Sequence, residues 1–265
     1  MRLRLCFILA LVAPALLAQV VPARSLAPIK DAVSAGTVGR PVTDVTMTGT
    51  STFTGGNHPG TGKVTLIALA TGKCEAIYAM PDGTLTEIWS GPDGGAKVSG
   101  RMGGKLSTTA AGGSVTMPGY AWFAPALLLA RASAGGWGAR DHGAQSHDGS
   151  RTDHVAVWPQ PKPGTSGGMP WMMLRREQRV DLYLDPATDL PSAAVFLLRP
   201  TLKPGAHPPA HVQLATEEVR YSGYENVGGA VLPTRLEIRL GTTPIIAITV
   251  TRAEVNTGAT IAPLR

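Results

Sequence analysis

Three histidines in the middle of the chain are the residues whose types and spacing come nearest to a chemical site. His142, His147 and His154 are interspersed with three aspartates, which are Asp141, Asp148 and Asp153. Imidazole and carboxylate groups bind zinc, so a folded loop could bring them together around a metal. The spacing matches neither a helical H-x-x-x-H pair nor a zinc ribbon, and the polar, glycine-rich segment is typical of an exposed loop. We therefore predict a loop without a metal, and a loop-borne metalloenzyme is the alternative.

A second acidic set recurs at every fourth position. Asp181, Asp185 and Asp189 would share one face of a helix, but their segment has the pattern of a strand followed by a turn. The three carboxylates therefore need not converge, and we expect Asp185 to accept hydrogen bonds from N–H groups of the turn. A calcium site is the less favoured alternative.

Other catalytic signatures are missing from the sequence. No serine stands in a G-x-S-x-G elbow, and no glycine cluster after a strand forms a phosphate-binding loop. Paired carboxylates for glycoside chemistry cannot be read from a sequence, because their spacing is set in three dimensions. We expect no enzymatic activity and no cofactor.

The elements that would position any site are strands, and the last third of the chain shows them most clearly. Apolar and polar residues alternate through 180–191, 218–240 and 245–256. This alternation predicts a large antiparallel sheet with one buried and one solvated face. Residues 45–53 alternate in the same way, and Pro81-Asp82-Gly83 predicts a tight hairpin turn.

Two stretches between these strands predict connections. Residues 90–119 are rich in Gly, Ser and Thr, with a short strand at 97–102, and residues 135–168 are loop-like, with a short strand at 153–158. Residues 171–184 then predict one long strand.

One segment predicts a convincing helix. Residues 120–131 are apolar nearly all round, so this helix should be buried against the sheet. Pro125 is tolerated there only in the first turn. A short helix within 26–38 is also expected.

The N-terminus and the composition indicate export. Arg2 and Arg4 precede an apolar run, residues 5–17, so residues 1–23 predict a signal peptide, with cleavage after Ala18 as the alternative. The formal charge of +6 falls to +4 without those arginines. The remaining charge is dispersed along the sequence, so there is no basic cluster of the kind that binds nucleic acid. A net positive charge is compatible with peripheral contact with anionic lipid. Cys74, the one cysteine outside the signal, is expected to be a small buried hydrophobe.

Two turn motifs resemble those of a known family. The first is D-P-x-T-x-L-P, which here is Asp185, Pro186, Thr188, Leu190 and Pro191. The second comprises Tyr221, Tyr224, Val227, Gly229 and Pro233. Together with the strand pattern, they resemble the outer-membrane lipoprotein-sorting superfamily of LolA/LolB-like half-barrels. The resemblance implies a mainly β (α+β) fold for residues 24–265. In this single domain, a strongly curved antiparallel sheet forms an open half-barrel around one main buried helix.

The resemblance also implies an apolar cavity that holds acyl chains. We therefore predict a non-enzymatic, monomeric protein of the periplasm or another extracytoplasmic compartment, with a lipid or lipoprotein as its partner. The alternative is a structural or interaction module of the envelope with a filled core. The candidate lipid-binding residues are Tyr78, Met80, Trp122, Phe123, Leu127, Leu128, Trp171, Met173 and Phe196.

Overall fold

The described part of the chain forms one sheet of thirteen strands and one complete helix. The computed structural model describes residues 32–33, 36–37, 41–54, 59–89, 96–102, 105–109, 122–133, 137–160, 179–198 and 215–262. The strands are β1 (Asp44–Phe53), β2 (Gly60–Leu69), β3 (Cys74–Met80), β4 (Gly83–Trp89), β5 (Ala96–Met102), β6 (Lys105–Thr109), β7 (Trp137–His147), β8 (Ser150–Pro159), β9 (Val180–Leu184), β10 (Pro191–Leu198), β11 (Ala215–Val227), β12 (Ala230–Leu240) and β13 (Thr243–Val255). The helix, α1 (Pro125–Ser133), lies between β6 and β7 in the chain.

The sheet is open, and its two edges are strands that follow one another in the chain. The strand order is β6-β5-β4-β3-β2-β1-β13-β12-β11-β10-β9-β8-β7, and each of these pairings is antiparallel. Chain neighbours are thus sheet neighbours, except where β1 pairs with β13 and where α1 separates the edge strands β6 and β7. The predicted fold class is confirmed: the sheet is a curved, open half-barrel around one main buried helix.

Alternation along each strand places one face in a continuous core. In β3, for example, Cys74, Ala76, Tyr78 and Met80 are buried, and the residues between them are less so. This is the concave face of the half-barrel, and it confirms the predicted burial of Cys74. We use "concave face" for the side that contributes to the core cluster and "convex face" for the other side.

A close approach of backbones joins the two halves of the sheet. The register of β1 with β13 shifts between Thr48 and Gly49. A Cβ atom at Gly49 would lie 2.0 Å from the carbonyl oxygen of Thr249. Only glycine fits such a contact, so the seam between the halves depends on this residue.

The helix is buried against the sheet, as predicted, although it begins later than residue 120. Pro125 is its first residue, where a missing N–H leaves no hydrogen bond unmade. Residues 125–129 are all buried. Just before the helix, the carbonyl oxygen of Trp122 accepts a buried hydrogen bond from the hydroxyl of Tyr221 on β11, at 2.7 Å. This bond ties the start of the helix to the concave face.

The short strand predicted at 153–158 is confirmed as part of β8, but the prediction of a loop for the preceding residues 137–152 is wrong. These residues belong to a long hairpin, β7 and β8, that turns at Asp148 and Gly149, both with positive φ. Asp-Gly is a strong hairpin signal. The alternation that should accompany it is broken in β7, because the register with β8 shifts between Asp141 and Gly143. The three histidines therefore lie on paired strands rather than in a loop.

Other expectations are met in part. Residues 90–119 contain two strands, β5 and β6, of which β5 confirms the short strand predicted there. Within the predicted strand 171–184, β9 begins at Val180, and residues 171–178 lie outside the described residues. The signal peptide, residues 1–23, also lies outside them, and in the short helix predicted within 26–38 only residues 32, 33 and 36 are described as helical. Over the described ranges, no helix has the length and apolar character needed to cross a membrane.

Candidate functional site

The concave face gathers most of the predicted lipid-binding residues into one place. Seven of the nine belong to a single buried cluster, each with at most 7% of its surface exposed, and they are Tyr78, Met80, Trp122, Phe123, Leu127, Leu128 and Phe196. Trp171 and Met173 lie outside the described residues. The proximity of the seven is now a structural fact, and lipid binding by them remains a prediction.

These side chains come from separated elements. β3 supplies Tyr78 and Met80, β10 supplies Phe196, and the segment leading into α1 supplies Trp122 and Phe123. Tyr78 contacts Phe53 edge-on, with ring centroids 5.1 Å apart, and Trp122 and Phe123 contact each other edge-on at the same centroid separation. The result is an aromatic and aliphatic interior of the kind that binds apolar ligands.

Two carboxylic acids lie inside this apolar interior, and neither was predicted from the sequence. Glu87 on β4 is 3% exposed, and Glu217 on β11 is fully buried. Glu87 pairs across the sheet with Ala76, a core residue, and Glu217 pairs with Phe196. Both therefore point to the concave face, and we call them the acid pair.

The two glutamates of the acid pair face one interior although their strands lie far apart in the sheet. The strands β4 and β11 are six places apart in the strand order. Burial, and then the charge of Glu87, raises the pKa of Glu217; burial, and then the charges of both glutamates, raises the pKa of Tyr78. Core residues of β3 and β11, which are five places apart in the strand order, also belong to one buried cluster, as expected when a sheet bends around a shared interior.

Burial controls the protonation of the acid pair. Desolvation raises the pKa of Glu87 to about 7. Desolvation, followed by the charge of Glu87, raises the pKa of Glu217 to about 9. At neutral pH, Glu217 is therefore a neutral acid that can donate a hydrogen bond, and Glu87 is divided between its two forms.

The acid pair has few hydrogen-bond partners. Within the described residues, Oε2 of Glu87 and both carboxyl oxygens of Glu217 are buried without one, as is the indole N–H of Trp89 on the same face of β4. Buried polar groups in folded proteins are nearly always hydrogen-bonded, so the unpartnered oxygens of the acid pair are an unusual feature of this interior. A signal was present in the sequence, because Glu217 alternates in phase with the buried Val219 and Tyr221.

The three histidines lie on the opposite, convex face, in a stack of rings. The ring of His154 on β8 stacks on His142 of β7, with centroids 4.5 Å apart, and on Tyr183 of β9, at 4.8 Å. His147 stacks on the same tyrosine at 3.7 Å. The register of β8 with β9 explains the contact between His154 and Tyr183, because these residues are direct cross-strand neighbours.

Hydrogen bonds and ion pairs hold one end of the stack. Nε2 of His154 lies 2.6 Å from Oδ1 of Asp181, and the guanidinium of Arg179 binds the same oxygen. Burial opposes ionisation of Asp181, but the hydrogen bonds from His154 and Arg179 outweigh it and lower the pKa of this carboxyl. Desolvation, then the neighbouring charges of His154, Arg179 and Arg140, lower the pKa of His142.

A second network holds the other end. Nε2 of His147 lies 3.2 Å from Oε1 of Glu218 on β11. Arg220 bridges that carboxylate, at 2.7 Å, to Asp148 at the hairpin tip, at 2.6 Å. The tip of the β7–β8 hairpin is thereby tied across the convex face to β11, and the histidines are engaged in stacking and hydrogen bonds.

This arrangement gives the metalloenzyme alternative no support. In the ranges that the structure describes, no group of three His, Cys, Asp or Glu side chains is placed to hold a metal ion. The acidic set at 181–189 does not converge on a cation either. Oδ1 of Asp185 accepts a hydrogen bond from the N–H of Ala187 at 2.9 Å, and Oδ2 accepts one from the hydroxyl of Thr188 at 3.2 Å. The predicted role of Asp185 in its turn is confirmed.

Comparison with known proteins identifies the fold. No protein-family model matches the chain. No curated protein matches it. Among solved structures, it is similar to a domain from Vibrio parahaemolyticus that is named for outer-membrane lipoprotein sorting. The TM-score is 0.53 at 12% identity, over 89% of this chain and 93% of that one. A LolA superfamily protein from Nitrosomonas europaea aligns with a TM-score of 0.48 at 10% identity, over 87% of this chain and 92% of that one. The first similarity shows that this chain shares the fold of that domain, which is the fold that the resemblance implied.

Proposed function

We propose that this chain, which has the half-barrel fold of the outer-membrane lipoprotein-sorting proteins, binds an acyl chain or a lipidated partner in its apolar interior. It would do so without catalysing a reaction, as an exported protein of the periplasm or another extracytoplasmic compartment. Residues 24–265 would form the single binding domain, and residues 1–23 would be the export signal.

The observation that carries the proposal is the composition of the concave face. Aromatic, methionine and leucine side chains from β3, β10 and α1 form one continuous cluster there. Methionine and aromatic side chains adapt to apolar ligands of different shape, because they are polarisable and have broad contact surfaces. Transfer of each methylene of a bound chain from water would contribute about 0.8 kcal/mol, so a chain of about ten carbons or more retains several kcal/mol after ordering costs.

A binding measurement tests the proposal. The purified protein should bind a fluorescent acyl chain with an uncharged head, and a synthetic lipopeptide, with a Kd in the micromolar range or tighter. Leu128→Glu places a charge among the buried side chains of α1 and should weaken binding. Leu240→Glu makes the same change at a leucine that is 43% exposed, and it should leave binding unchanged.

The stability of each variant is measured by urea unfolding, so that a loss of binding is not confused with a loss of folding. The ligand should also raise the unfolding midpoint of the wild-type protein, because it binds only the folded state. A folded wild-type protein that binds neither ligand would contradict the proposal.

The burial of the same residues favours a second candidate function. The seven described lipid-binding candidates are 0–7% exposed, which also fits a filled core in a structural or interaction module of the envelope. The two candidates differ in the binding assay. A module with a filled core would unfold cooperatively, bind no amphiphile and show no shift of its midpoint with ligand.

A further inference from the structure

The acid pair is costly if the interior serves only as a core. A buried carboxyl group without a hydrogen-bond partner destabilises the folded state, and more so when it is ionised. Both Glu87 and Glu217 are at least nine-tenths buried, and three of their four carboxyl oxygens have no hydrogen-bond partner within the described residues. Apolar side chains at these two positions would avoid that penalty. Local rules are most often broken in this way at functional sites.

The acid pair borders the candidate lipid site rather than lying apart from it. Glu217 pairs across the sheet with Phe196, and the strand partner of Tyr78 is Leu85, two residues before Glu87 on the same face of β4. Burial, followed by the charges of Glu87 and Glu217, raises the pKa of Tyr78, which is one of the candidate lipid-binding residues. An apolar chain bound in this interior could therefore bring its polar head to the acids.

The charge of the acid pair selects the kind of head group. An anionic head would meet two acidic side chains in a medium of low dielectric, where repulsion is strong. An ammonium group would supply donors for the unpartnered oxygens and would neutralise the carboxylate form. No described lysine, arginine or histidine forms an ion pair with either glutamate.

We propose that Glu87 and Glu217 bind the cationic head of an amphiphilic amine whose hydrocarbon chain lies along the apolar concave face. The inference rests on the proposed function, because the chain must first be accommodated in the interior. The indole N–H of Trp89, which is also buried without a partner, is a donor for an oxygen on the same head group. Binding should be accompanied by the release of a proton, because a bound ammonium group stabilises the carboxylate form of an acid that is protonated when the ligand is absent.

Three ligands with the same chain and different heads test the inference. Dodecylamine, dodecanol and dodecanoate are titrated at pH 7, below their aggregation concentrations, by displacement of an uncharged fluorescent probe. The wild-type protein should bind the amine roughly tenfold or more tightly than the alcohol, since a hydrogen bond to a charged group has about that value. It should bind the carboxylate more weakly than the alcohol.

Isosteric variants assign the preference to the acid pair. In the double variant Glu87→Gln, Glu217→Gln, the amine and the alcohol should bind about equally, and urea unfolding checks that the variant is folded. Glu225→Gln changes an exposed glutamate on the same strand as Glu217 and should keep the wild-type preference. Calorimetry in two buffers with different heats of ionisation should detect release of about one proton per amine in the wild-type protein and none in the double variant.

The outcomes separate this inference from the proposed function. If the alcohol binds and the amine binds no more tightly, the interior holds apolar chains but the acid pair does not recognise amines, and the inference is overturned. The same conclusion follows if the double variant retains the preference for the amine. If none of the three ligands binds to the folded protein, both the inference and the proposed function are overturned.

Discussion

Replacing Glu217 by glutamine should change how the stability of this protein depends on pH. The pKa of this buried carboxyl is raised from 4.5 to about 9 by desolvation and by the charge of Glu87. The folded protein therefore holds a proton that the unfolded chain releases over much of this range. With respect to this group the folded state is most stable below pH 4.5, where both states are protonated, and stability is lost as the pH rises towards 9.

The size of the effect follows from the shift. Each pH unit within the window is equivalent to about 1.4 kcal/mol for one proton, so between pH 4.5 and pH 7 the wild-type protein should lose about 3 kcal/mol of unfolding free energy through Glu217. Glutamine has nearly the same shape and does not titrate. The variant should lack this component and should therefore gain stability relative to the wild-type protein as the pH rises. Glu87, whose pKa is raised to about 7, contributes a similar slope over a narrower pH range, and it does so in both proteins.

Urea unfolding at several pH values between 5 and 8 measures this directly. The exposed Glu225→Gln variant is the control, and it should follow the wild-type curve at every pH. Carboxyls with a lowered pKa, such as Asp44 and Asp181, lose their contribution at lower pH and affect the proteins equally. If Glu217→Gln and the wild-type protein show parallel curves across this range, Glu217 is ionised in the folded state and the reasoning about its burial is wrong.

Two further predictions concern contacts on opposite faces of the sheet. Tyr221→Phe removes the 2.7 Å hydrogen bond to the carbonyl oxygen of Trp122 and should cost about 1–3 kcal/mol in urea unfolding, because that carbonyl is left unpaired; no loss would show that the bond does not anchor α1. Asp181→Asn removes the charge that His154 and Arg179 share, and it should lower the unfolding free energy at pH 7 by about 1–3 kcal/mol. That difference should shrink as the pH falls through the lowered pKa of Asp181, and a difference independent of pH would contradict the ion-pair interpretation.

Most of the fold could be predicted because its elements are local. The turn at Asp185 depends on hydrogen bonds within five residues, and the same residues that mark it in the sequence form it in the structure. The helix was predictable from its continuous apolar character, which only a buried position can satisfy. The half-barrel itself was inferred from a resemblance, since alternation alone does not distinguish a curved sheet from a flat one.

The β7–β8 hairpin shows where a local pattern is insufficient. Its residues alternate poorly, because β7 contains a bulge and its tip is stabilised by groups far away in the sequence. Asp148 at the turn binds Arg220 on β11, and His147 stacks on Tyr183 of β9. A histidine-rich polar segment lacks the apolar alternation by which strands are recognised in a sequence. Its contacts are with residues on distant strands, so they form only when the sheet has assembled.

The sequence by itself determined the strands with clear alternation, the buried helix, the tight turns and the apolar character of one face. All of these depend on residues close together in the chain. Only the tertiary structure decided that Glu87 and Glu217 would face one interior, because their strands are six places apart and each glutamate pairs with a residue of the same core cluster. The pKa of each acid belongs to that interior, since desolvation is a property of the folded surroundings and not of the residue.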